Sequence, residues 1–253
     1  MAVGSKKKKN GKTGLAEEQK LILTENSPWP EQEAYKALRT NLIFSLPGKE
    51  CKVIGVTSAF RGDGKSLNAL NLAISFAQVG KKTMLIEGDL RLPTISKRLG
   101  CKSIPGLSDI LAGEAAMADG MWILENHSDL SFIPAGNRAP DPTWLYQSRQ
   151  MADLIRELRG QYEYVIIDLP PVTMVSDAQI LSPLIDGYVL VVRDGTTEYR
   201  AIGDTLSQLK FAHGKVLGFI YNDAGGSGGG YYKRGYYKHG YYKNGYYQSK
   251  EQE

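Results

Sequence analysis

Short runs of wholly apolar residues alternate along this chain with segments in which apolar residues recur at helical spacing. Such runs are typical of strands covered on both faces, and their alternation with helices predicts a parallel sheet between two helical layers. The apolar runs lie at 53–56, 83–86, 130–133, 164–167, 188–192 and 216–221. The helical segments lie at 31–45, 67–79, 108–111, 143–159, 177–185 and 198–211. We therefore expect an α/β fold with a mostly parallel, doubly wound sheet and helices on both faces.

Length and composition exclude several other classes of protein. The 253 residues suit one medium-sized domain, and no run of 18 apolar residues predicts a membrane span. The N-terminal lysines precede no apolar stretch, so a secretory signal is not expected. Cys51 and Cys101 form no CxxC pair and the three histidines do not cluster, which argues against a disulfide scaffold or a zinc site. We expect a cytoplasmic protein.

The two ends of the chain differ from its middle. The formal net charge is +4, but residues 1–14 carry +5, residues 230–253 carry +3, and the part between them carries −4. We divide the chain into a basic, mostly disordered segment (1–29), one folded domain (30–223) and a tail (224–253) that begins with a flexible glycine linker. Four repeats in the tail each contain two adjacent tyrosines: Tyr231, Tyr232, Tyr236, Tyr237, Tyr241, Tyr242, Tyr246 and Tyr247.

A glycine-rich loop follows the first strand and precedes a helix, as a phosphate-binding P-loop requires. Gly62 and Gly64 allow backbone N–H groups to turn toward phosphate oxygens, Lys65 can reach the β- and γ-phosphates, and Ser66 can ligate Mg²⁺. The full P-loop pattern has a glycine where this chain has Ala59, and a chance Gly-Lys-Ser turn is the alternative. The predicted nucleotide contacts are Arg61, Gly62, Asp63, Gly64, Lys65, Ser66 and Leu67.

Acidic residues end two of the predicted strands. Asp168 directly follows one apolar run, and Glu87 and Asp89 follow another. The carboxyl ends of parallel strands meet at one edge of a sheet, where ligands bind in such folds. One acid of the Glu87–Asp89 pair is expected to hold metal-bound water and the other to accept a hydroxyl proton. The alternative is that these acids are ordinary loop residues at strand ends.

Together these motifs resemble the bacterial tyrosine kinases of the cytoplasmic CpsD/CapB type, which occur beside capsule and exopolysaccharide machinery. The resemblance covers roughly residues 30–253. Residues 59–66 are similar to the family's Walker A loop, residues 87–91 to its D-x-D-x-R motif, and Asp168 to its Walker B aspartate. The tyrosine tail is similar to the family's C-terminal tyrosine cluster. The resemblance implies a P-loop NTPase fold and an ATP- and Mg²⁺-dependent tyrosine autokinase.

The same resemblance implies roles for individual residues. Lys65, Glu87, Asp89, Arg91 and Asp168 are expected to form the catalytic set. Within it, Glu87 would receive the tyrosine proton and Arg91 would steady the phosphates or the acids. The expected Mg²⁺ ligands are Ser66, Asp89 and Asp168. Asn222 resembles an adenine-contacting asparagine of related P-loop ATPases, or else caps a turn.

A helix near the N-terminus resembles the family's E-x-x-R-x-x-R segment, which serves in ring assembly. Glu33, Lys36 and Arg39 occupy its positions on one helix face, and an ordinary solvated face is the alternative. Lys36 replaces an arginine and lacks its planar bidentate fork. Glu87 stands where the family has its first aspartate, and one extra methylene at a catalytic position is expected to reduce activity.

The resemblance also implies partners. They are a ring-shaped homo-oligomer, an activating transmembrane polysaccharide co-polymerase adaptor and an opposing tyrosine phosphatase, with the kinase recruited to the inner face of the membrane. The tail is expected to be phosphorylated in trans, although a sticky low-complexity tract or a base-stacking RNA-binding tail would have a similar composition. We expect no nucleic-acid partner. Two alternative functions stay open: a ParA/MinD-like ATPase switch, disfavoured because Phe60 stands in the register of that group's extra lysine, and an ATP-binding scaffold without transferase activity.

Overall fold

The computed structural model describes residues 17–124 and 127–223. Seven strands are present in this part of the chain: β1 (Lys52–Ser58), β2 (Thr83–Glu87), β3 (Trp122–Leu124), β4 (His127–Ile133), β5 (Tyr164–Asp168), β6 (Gly187–Arg193) and β7 (Val216–Asn222). The helices are α1 (Trp29–Ser45), α2 (Lys65–Ala77), α3 (Ile95–Leu99), α4 (Leu107–Ala112), α5 (Thr143–Tyr146), α6 (Arg149–Gln161), α7 (Asp177–Ile180) and α8 (Tyr199–Phe211). A short 3₁₀ turn, Ser182–Leu184, follows α7.

The strands form one sheet in the order β3-β4-β2-β5-β1-β6-β7. All neighbouring pairs are parallel except β3 and β4, which are antiparallel. The central strands β1, β2 and β5 consist almost entirely of buried residues. Parallel strands covered on both faces have this continuous apolar pattern, so the predicted doubly wound sheet is confirmed.

Two hydrophobic cores lie on opposite faces of the sheet. The α2 side chains pack on one face with Ile54, Val56 and Leu85, and Leu42 of α1 belongs to the same core. The other face packs against α4, α6 and the C-terminal part of α8. Successive residues of a strand point to opposite faces, so Val53 and Ile54 enter different cores. The cores fix the sheet, and the carboxyl ends of its strands form the edge where the site lies.

Two predicted helices are divided in the structure. The segment 143–159 contains α5 and α6, because Ser148 caps the second helix by accepting a hydrogen bond from the Met151 amide. That helix continues through Gly160, which was expected to end it. The segment 177–185 ends as a helix at Ile180 and continues as the 3₁₀ turn, where Pro183 has no N–H to donate.

The two edges of the sheet also differ from the sequence-based expectation. β3 has exposed or half-buried residues throughout and too weak an apolar pattern to be recognised as a strand. β7 was expected to be buried on both faces, but it is the last strand of the sheet among the described residues, and all of its residues are half-buried or exposed. α3 was not predicted either, since its five residues are too short to show a helical period.

Residues 17–28 lie against the domain, although the sequence analysis grouped them with the basic N-terminal segment. Leu23 is buried in the core that contains α2. Its amide donates to Asn71 Oδ1 at 2.8 Å, and Asn71 Nδ2 donates to the Leu21 carbonyl at 2.9 Å. Glu18 forms an ion pair with Arg98 of α3 at 3.0 Å. These contacts hold the segment across α2 and α3.

Candidate active site

The P-loop follows β1 and leads into α2, as predicted. Gly62 and Gly64 have φ values of +95° and +97°, which residues with a side chain rarely adopt. A Cβ atom on Gly64 would lie 2.2 Å from Asn222 Nδ2, so this position also lacks space for a side chain. Ala59 is not among the positive-φ residues of the described chain, so the glycine of the general pattern is not required there.

Side chains from β6, β7 and their loops hold the P-loop in place. Asn222 Nδ2 donates to the Asp63 carbonyl at 2.9 Å, and Thr197 Oγ1 donates to Asp63 Oδ1 at 3.0 Å. Asp63 Oδ2 accepts from the Phe60 amide at 3.0 Å, and Arg193 donates to the Gly62 carbonyl at 3.3 Å. Asn222 was predicted to contact adenine or to cap a turn; the structure places its side chain on the backbone of the loop.

Lys65 lies between two carboxylates at the carboxyl edge of the sheet. Its Nζ is 2.7 Å from Asp89 Oδ2 and 3.4 Å from Asp168 Oδ1, and 3.2 Å from Ser66 Oγ. Burial alone would lower the pKa of Lys65, but Asp168 and Asp89 outweigh this effect and the pKa is raised. The structure therefore brings together the predicted phosphate-binding lysine and both predicted metal-ligating acids.

Asp168 has one oxygen that no neighbour satisfies. Among the described residues, its buried Oδ2 has no hydrogen-bond partner. Burial raises the pKa of Asp168 to about 6, and nearby Lys65 opposes this shift. The described residues contain no group of three His, Cys, Asp or Glu side chains placed to hold a metal ion. Mg²⁺ needs no such group, because it usually binds one or two carboxylates together with substrate phosphates and water. Ser66, Asp89 and Asp168 therefore fit this ion.

Glu87 is the last residue of β2 and is fully buried. Its Oε1 accepts hydrogen bonds from the amides of Ile95 at 2.5 Å and Ser96 at 3.4 Å. Its Oε2 accepts from the Ala135 amide at 3.3 Å. The sequence analysis expected this carboxylate to face the crevice and to receive a proton. The structure gives it backbone partners instead, in the first turn of α3 and in the loop after β4.

The loop after β2 brings further residues to the site. Asp89 Oδ1 accepts from the Leu92 amide at 3.0 Å, which leaves Oδ2 for Lys65. Arg91 was expected at the phosphates or the acid pair, but it forms a bidentate pair with buried Asp177 at 2.9 and 3.0 Å. This pair raises the pKa of Arg91.

Asp177 and Tyr146 were missed by the sequence analysis. Asp177 precedes an apolar segment and was interpreted only as the start of a helix. Buried Tyr146 donates to the Gly88 carbonyl at 2.8 Å. A lone tyrosine in a helical segment carries no signal for such a contact.

Comparison with known proteins agrees with this geometry. Residues 50–226 match the ParA group, described as "NUBPL iron-transfer P-loop NTPase". The chain is 37% identical to tyrosine-protein kinase YwqD of Bacillus subtilis (strain 168) over 190 residues, 75% of this chain and 80% of YwqD. It is 32% identical to the putative tyrosine-protein kinase CapB of Staphylococcus aureus over 75% of this chain and 83% of CapB. This chain belongs to the bacterial tyrosine kinases.

A solved structure supports the assignment to the tyrosine-kinase family. The chimerical protein CapA2B2 superposes with a TM-score of 0.75 at 33% identity, covering 80% of this chain and 88% of the other. The resemblance stated from the motifs is therefore confirmed, together with the P-loop NTPase fold and the assignment as a tyrosine kinase. Among the described residues, no helix combines the length and apolar character needed to cross a bilayer.

In the described part of the chain, the remaining predicted residues take no part in the ion pairs that join Lys65 to Asp89 and Asp168. Lys36 and Glu33 pair with each other at 2.7 Å on the exposed face of α1. Arg39 on the same helix donates to the Ser75 carbonyl at 2.6 Å and is partly buried against α2. Arg61 is exposed and Leu67 is half-buried. The eight tail tyrosines lie outside the described residues.

Proposed function

We propose that this tyrosine kinase transfers the γ-phosphoryl group of ATP to tyrosines of its own C-terminal cluster, in trans, and acts in capsular or exopolysaccharide synthesis. The observation that carries the proposal is the position of Lys65 between Asp89 and Asp168 at the end of a P-loop. The relatives that share this chain's family are named tyrosine-protein kinases. Another relative, 36% identical over 70% of this chain but only 23% of its own length, is named succinoglycan biosynthesis transport protein ExoP.

In the proposed reaction, one group of residues binds the phosphates of ATP and another holds the ion that stabilises their negative charge. The P-loop amides and Lys65 hold the β- and γ-phosphates, and the left-handed backbone at Gly62 and Gly64 orients these amides. Ser66, Asp89 and Asp168 would hold Mg²⁺, which neutralises charge on the phosphate oxygens when bound. We do not carry forward the prediction that Glu87 receives the tyrosine proton, because backbone amides occupy both of its carboxylate oxygens.

Charge supports the tail as the acceptor. The body between residues 15 and 229 carries a net charge of −4, whereas residues 230–253 carry +3. Opposite charges favour encounter between the tail of one copy and the acidic site of another. β7 ends at Asn222, whose side chain contacts the P-loop, so the last described residues before the tail lie beside the proposed nucleotide site.

The proposal extends to partners. We expect a ring-shaped homo-oligomer that uses the α1 face with Glu33 and Lys36, a membrane-embedded polysaccharide co-polymerase that activates the kinase and recruits it to the inner face of the membrane, and an opposing phosphatase. Lys36 and Glu33 are both substantially exposed, which leaves this face available to a neighbour. Arg39 is expected to contribute less, since its guanidinium already contacts Ser75 within the chain.

Phosphotyrosine mapping tests the proposed activity. The purified kinase, with a cytoplasmic fragment of its adaptor, is incubated with Mg²⁺ and ATP and analysed by mass spectrometry. We expect label within residues 231–247 of the wild type and none in Lys65→Met. An unlabelled wild type would contradict the kinase assignment for this chain, and label confined to positions outside the tail would contradict the acceptor assignment.

A mixing experiment tests transfer between copies. One copy keeps an intact active site but has phenylalanine at all eight tail tyrosines. The other copy is inactivated by Lys65→Met or, as a second inactive form, by Asp89→Asn, and keeps its tail. Label on the inactive copy supports transfer in trans. Label on the wild type alone, with none on either inactive copy in the mixture, would show that each kinase modifies only its own tail.

A further inference from the structure

Glu87 closes the base of the loop that carries the active-site residues. Its Oε1 binds the amide of Ile95, eight residues further along the chain, so the side chain joins the first and last parts of segment 87–95. The same oxygen accepts from Ser96, the second residue of α3, and Oε2 reaches Ala135 after β4. A fully buried carboxylate thus connects the end of β2, the first turn of α3 and the loop after β4.

The loop enclosed by these contacts holds Asp89 and Arg91. Asp89 bonds to Lys65, and Arg91 bonds to Asp177 at the start of α7. The loop is also held by the hydrogen bond from Tyr146 to the Gly88 carbonyl, by the Leu92 amide that donates to Asp89, and by Leu90, which is buried in the core. The position of Asp89 relative to the P-loop lysine therefore depends on how the two ends of this loop are held together.

We propose that Glu87 is a positioning residue that closes the 88–94 loop and thereby sets Asp89 for Mg²⁺ binding, and that it is not the acceptor of the tyrosine proton. The role of Glu87 in catalysis rests on the proposed function of the chain. Its role in holding the loop through three amide hydrogen bonds does not depend on phosphoryl transfer.

The length of the side chain makes glutamate necessary at this position. Aspartate would withdraw the carboxylate by about one C–C bond, roughly 1.5 Å. The contacts to Ile95, Ser96 and Ala135 measure 2.5, 3.4 and 3.3 Å in the present structure, so such a withdrawal would break them unless the backbone moved. Glutamine preserves the length and keeps one acceptor oxygen, which can still bind the α3 amides.

The positioning role and the proton-acceptor role predict opposite orders for two variants. If Glu87 positions the loop, Glu87→Gln keeps most function and Glu87→Asp loses it. If Glu87 accepts the proton, Glu87→Asp keeps function because a carboxylate remains, and Glu87→Gln loses it because an amide cannot act as a base.

The experiment measures two quantities besides kinase activity. Binding of fluorescent ADP is measured at increasing Mg²⁺ concentrations. Hydrogen exchange is measured at the amides of Ile95 and Ser96. We expect Glu87→Asp to raise the Mg²⁺ concentration for half-saturation about 10- to 100-fold, the usual effect of losing a residue that orients a metal ligand. Glu87→Gln should shift it less than about fivefold: its oxygen keeps the bonds to the α3 amides as neutral ones, and only the 3.3 Å contact to the Ala135 amide is lost, because the NH₂ group cannot accept. The two amides should lose protection in Glu87→Asp and retain it in Glu87→Gln.

Ile95→Val is the matched control. It removes one buried methylene from the first residue of α3 and leaves the amide and Glu87 in place. This variant should unfold at a lower temperature than the wild type and keep the wild-type Mg²⁺ requirement, which separates positioning of the loop from general stability.

Two results would overturn the inference. One is unchanged Mg²⁺ dependence and amide protection in Glu87→Asp. The other is autophosphorylation retained in Glu87→Asp and reduced more than about 100-fold in Glu87→Gln, the effect of losing a general base. A wild type that transfers no phosphoryl group would refute the proposed function alone, because Mg²⁺-dependent ADP binding and hydrogen exchange would still decide the role of Glu87.

Discussion

Replacement of Lys65 by methionine should destabilise the protein as well as inactivate it. The ammonium group lies 2.7 Å from Asp89 and 3.4 Å from Asp168, and the three side chains are no more than 10% exposed. At an effective dielectric constant near 20, the two attractions amount to about 6 and 5 kcal/mol before desolvation is subtracted. Loss of one partner from a buried ion pair usually costs about 3–5 kcal/mol, because the other charge stays buried and unpaired. We expect a loss of this size.

Urea and thermal unfolding measure this loss. For a domain of this size, a loss of about 3–5 kcal/mol corresponds to a decrease in Tm of roughly 6–20 °C. The pKa of Lys65 is raised in the folded state, so its contribution is fully present below its unfolded pKa and is lost only as the pH rises through the higher folded value. Measurements near pH 7.5 in EDTA therefore report the full effect.

Two further variants test whether the loss of stability in Lys65→Met comes from the buried ion pairs. Lys36→Met removes an exposed ion pair on α1 and should change the stability by less than about 0.5 kcal/mol. Adding Asp168→Asn to Lys65→Met should recover about 1–2 kcal/mol, because it removes a buried charge that has lost its counter-ion. A loss below about 1 kcal/mol in Lys65→Met, or no recovery in the double variant, would refute the buried ion-pair cluster.

Three other outcomes follow from the same structure. Asp186→Asn should lower the free energy of unfolding by about 3 kcal/mol, because the buried Asp186 carboxylate accepts hydrogen bonds from Arg159 at 2.8 and 3.0 Å. Burial raises the pKa of Asp186, but these hydrogen bonds outweigh burial and the pKa is lowered. Urea unfolding should therefore show the wild-type advantage above about pH 4 and its loss as the pH falls through the lower folded pKa. Gly64→Ala should abolish measurable ATP binding in a fluorescence titration, since its φ is +97° and its Cβ would meet Asn222. Leu23→Ala should lower the stability by about 3 kcal/mol and speed proteolysis before residue 29, whereas equal cleavage in both proteins would show that Leu23 does not anchor the segment.

Strand positions were predictable because burial on two faces imposes a continuous apolar pattern on the sequence. Six of the seven strands contain such a run, although β7 carries it without being buried on both faces. β3 lies at the sheet edge with exposed residues, so its sequence carries no such pattern. The helix breaks at Ser148 and Pro183 are local events that reflect capping and a missing N–H, and these compete with an apolar period that continues across them.

The location of the site was predictable, and the role of each acid was not. Parallel strands place Glu87 beside Asp168 in register, so both acids belong to one edge whatever the loops do. Which oxygens face the P-loop depends on the path of the chain beyond the strand. Glu87 ends the strand and is surrounded by backbone amides, whereas Asp89, two residues later, reaches Lys65. Two neighbouring acids in sequence give no sign of this division.

The charges at the site imply a further difference between Lys65→Met and an ordinary destabilised variant. Lys65 is shared by two carboxylates, and Asp168 keeps one oxygen without a partner among the described residues, so the site holds more negative charge than the lysine neutralises. Mg²⁺ that binds only the folded state stabilises it by RT ln(1 + [Mg²⁺]/Kd), about 1.4 kcal/mol at ten times Kd. Removing the competing ammonium should strengthen Mg²⁺ binding. The stability difference between the wild type and Lys65→Met should therefore be smaller in millimolar Mg²⁺ than in EDTA, and an equal difference in both buffers would show that the carboxylates do not share a cation site.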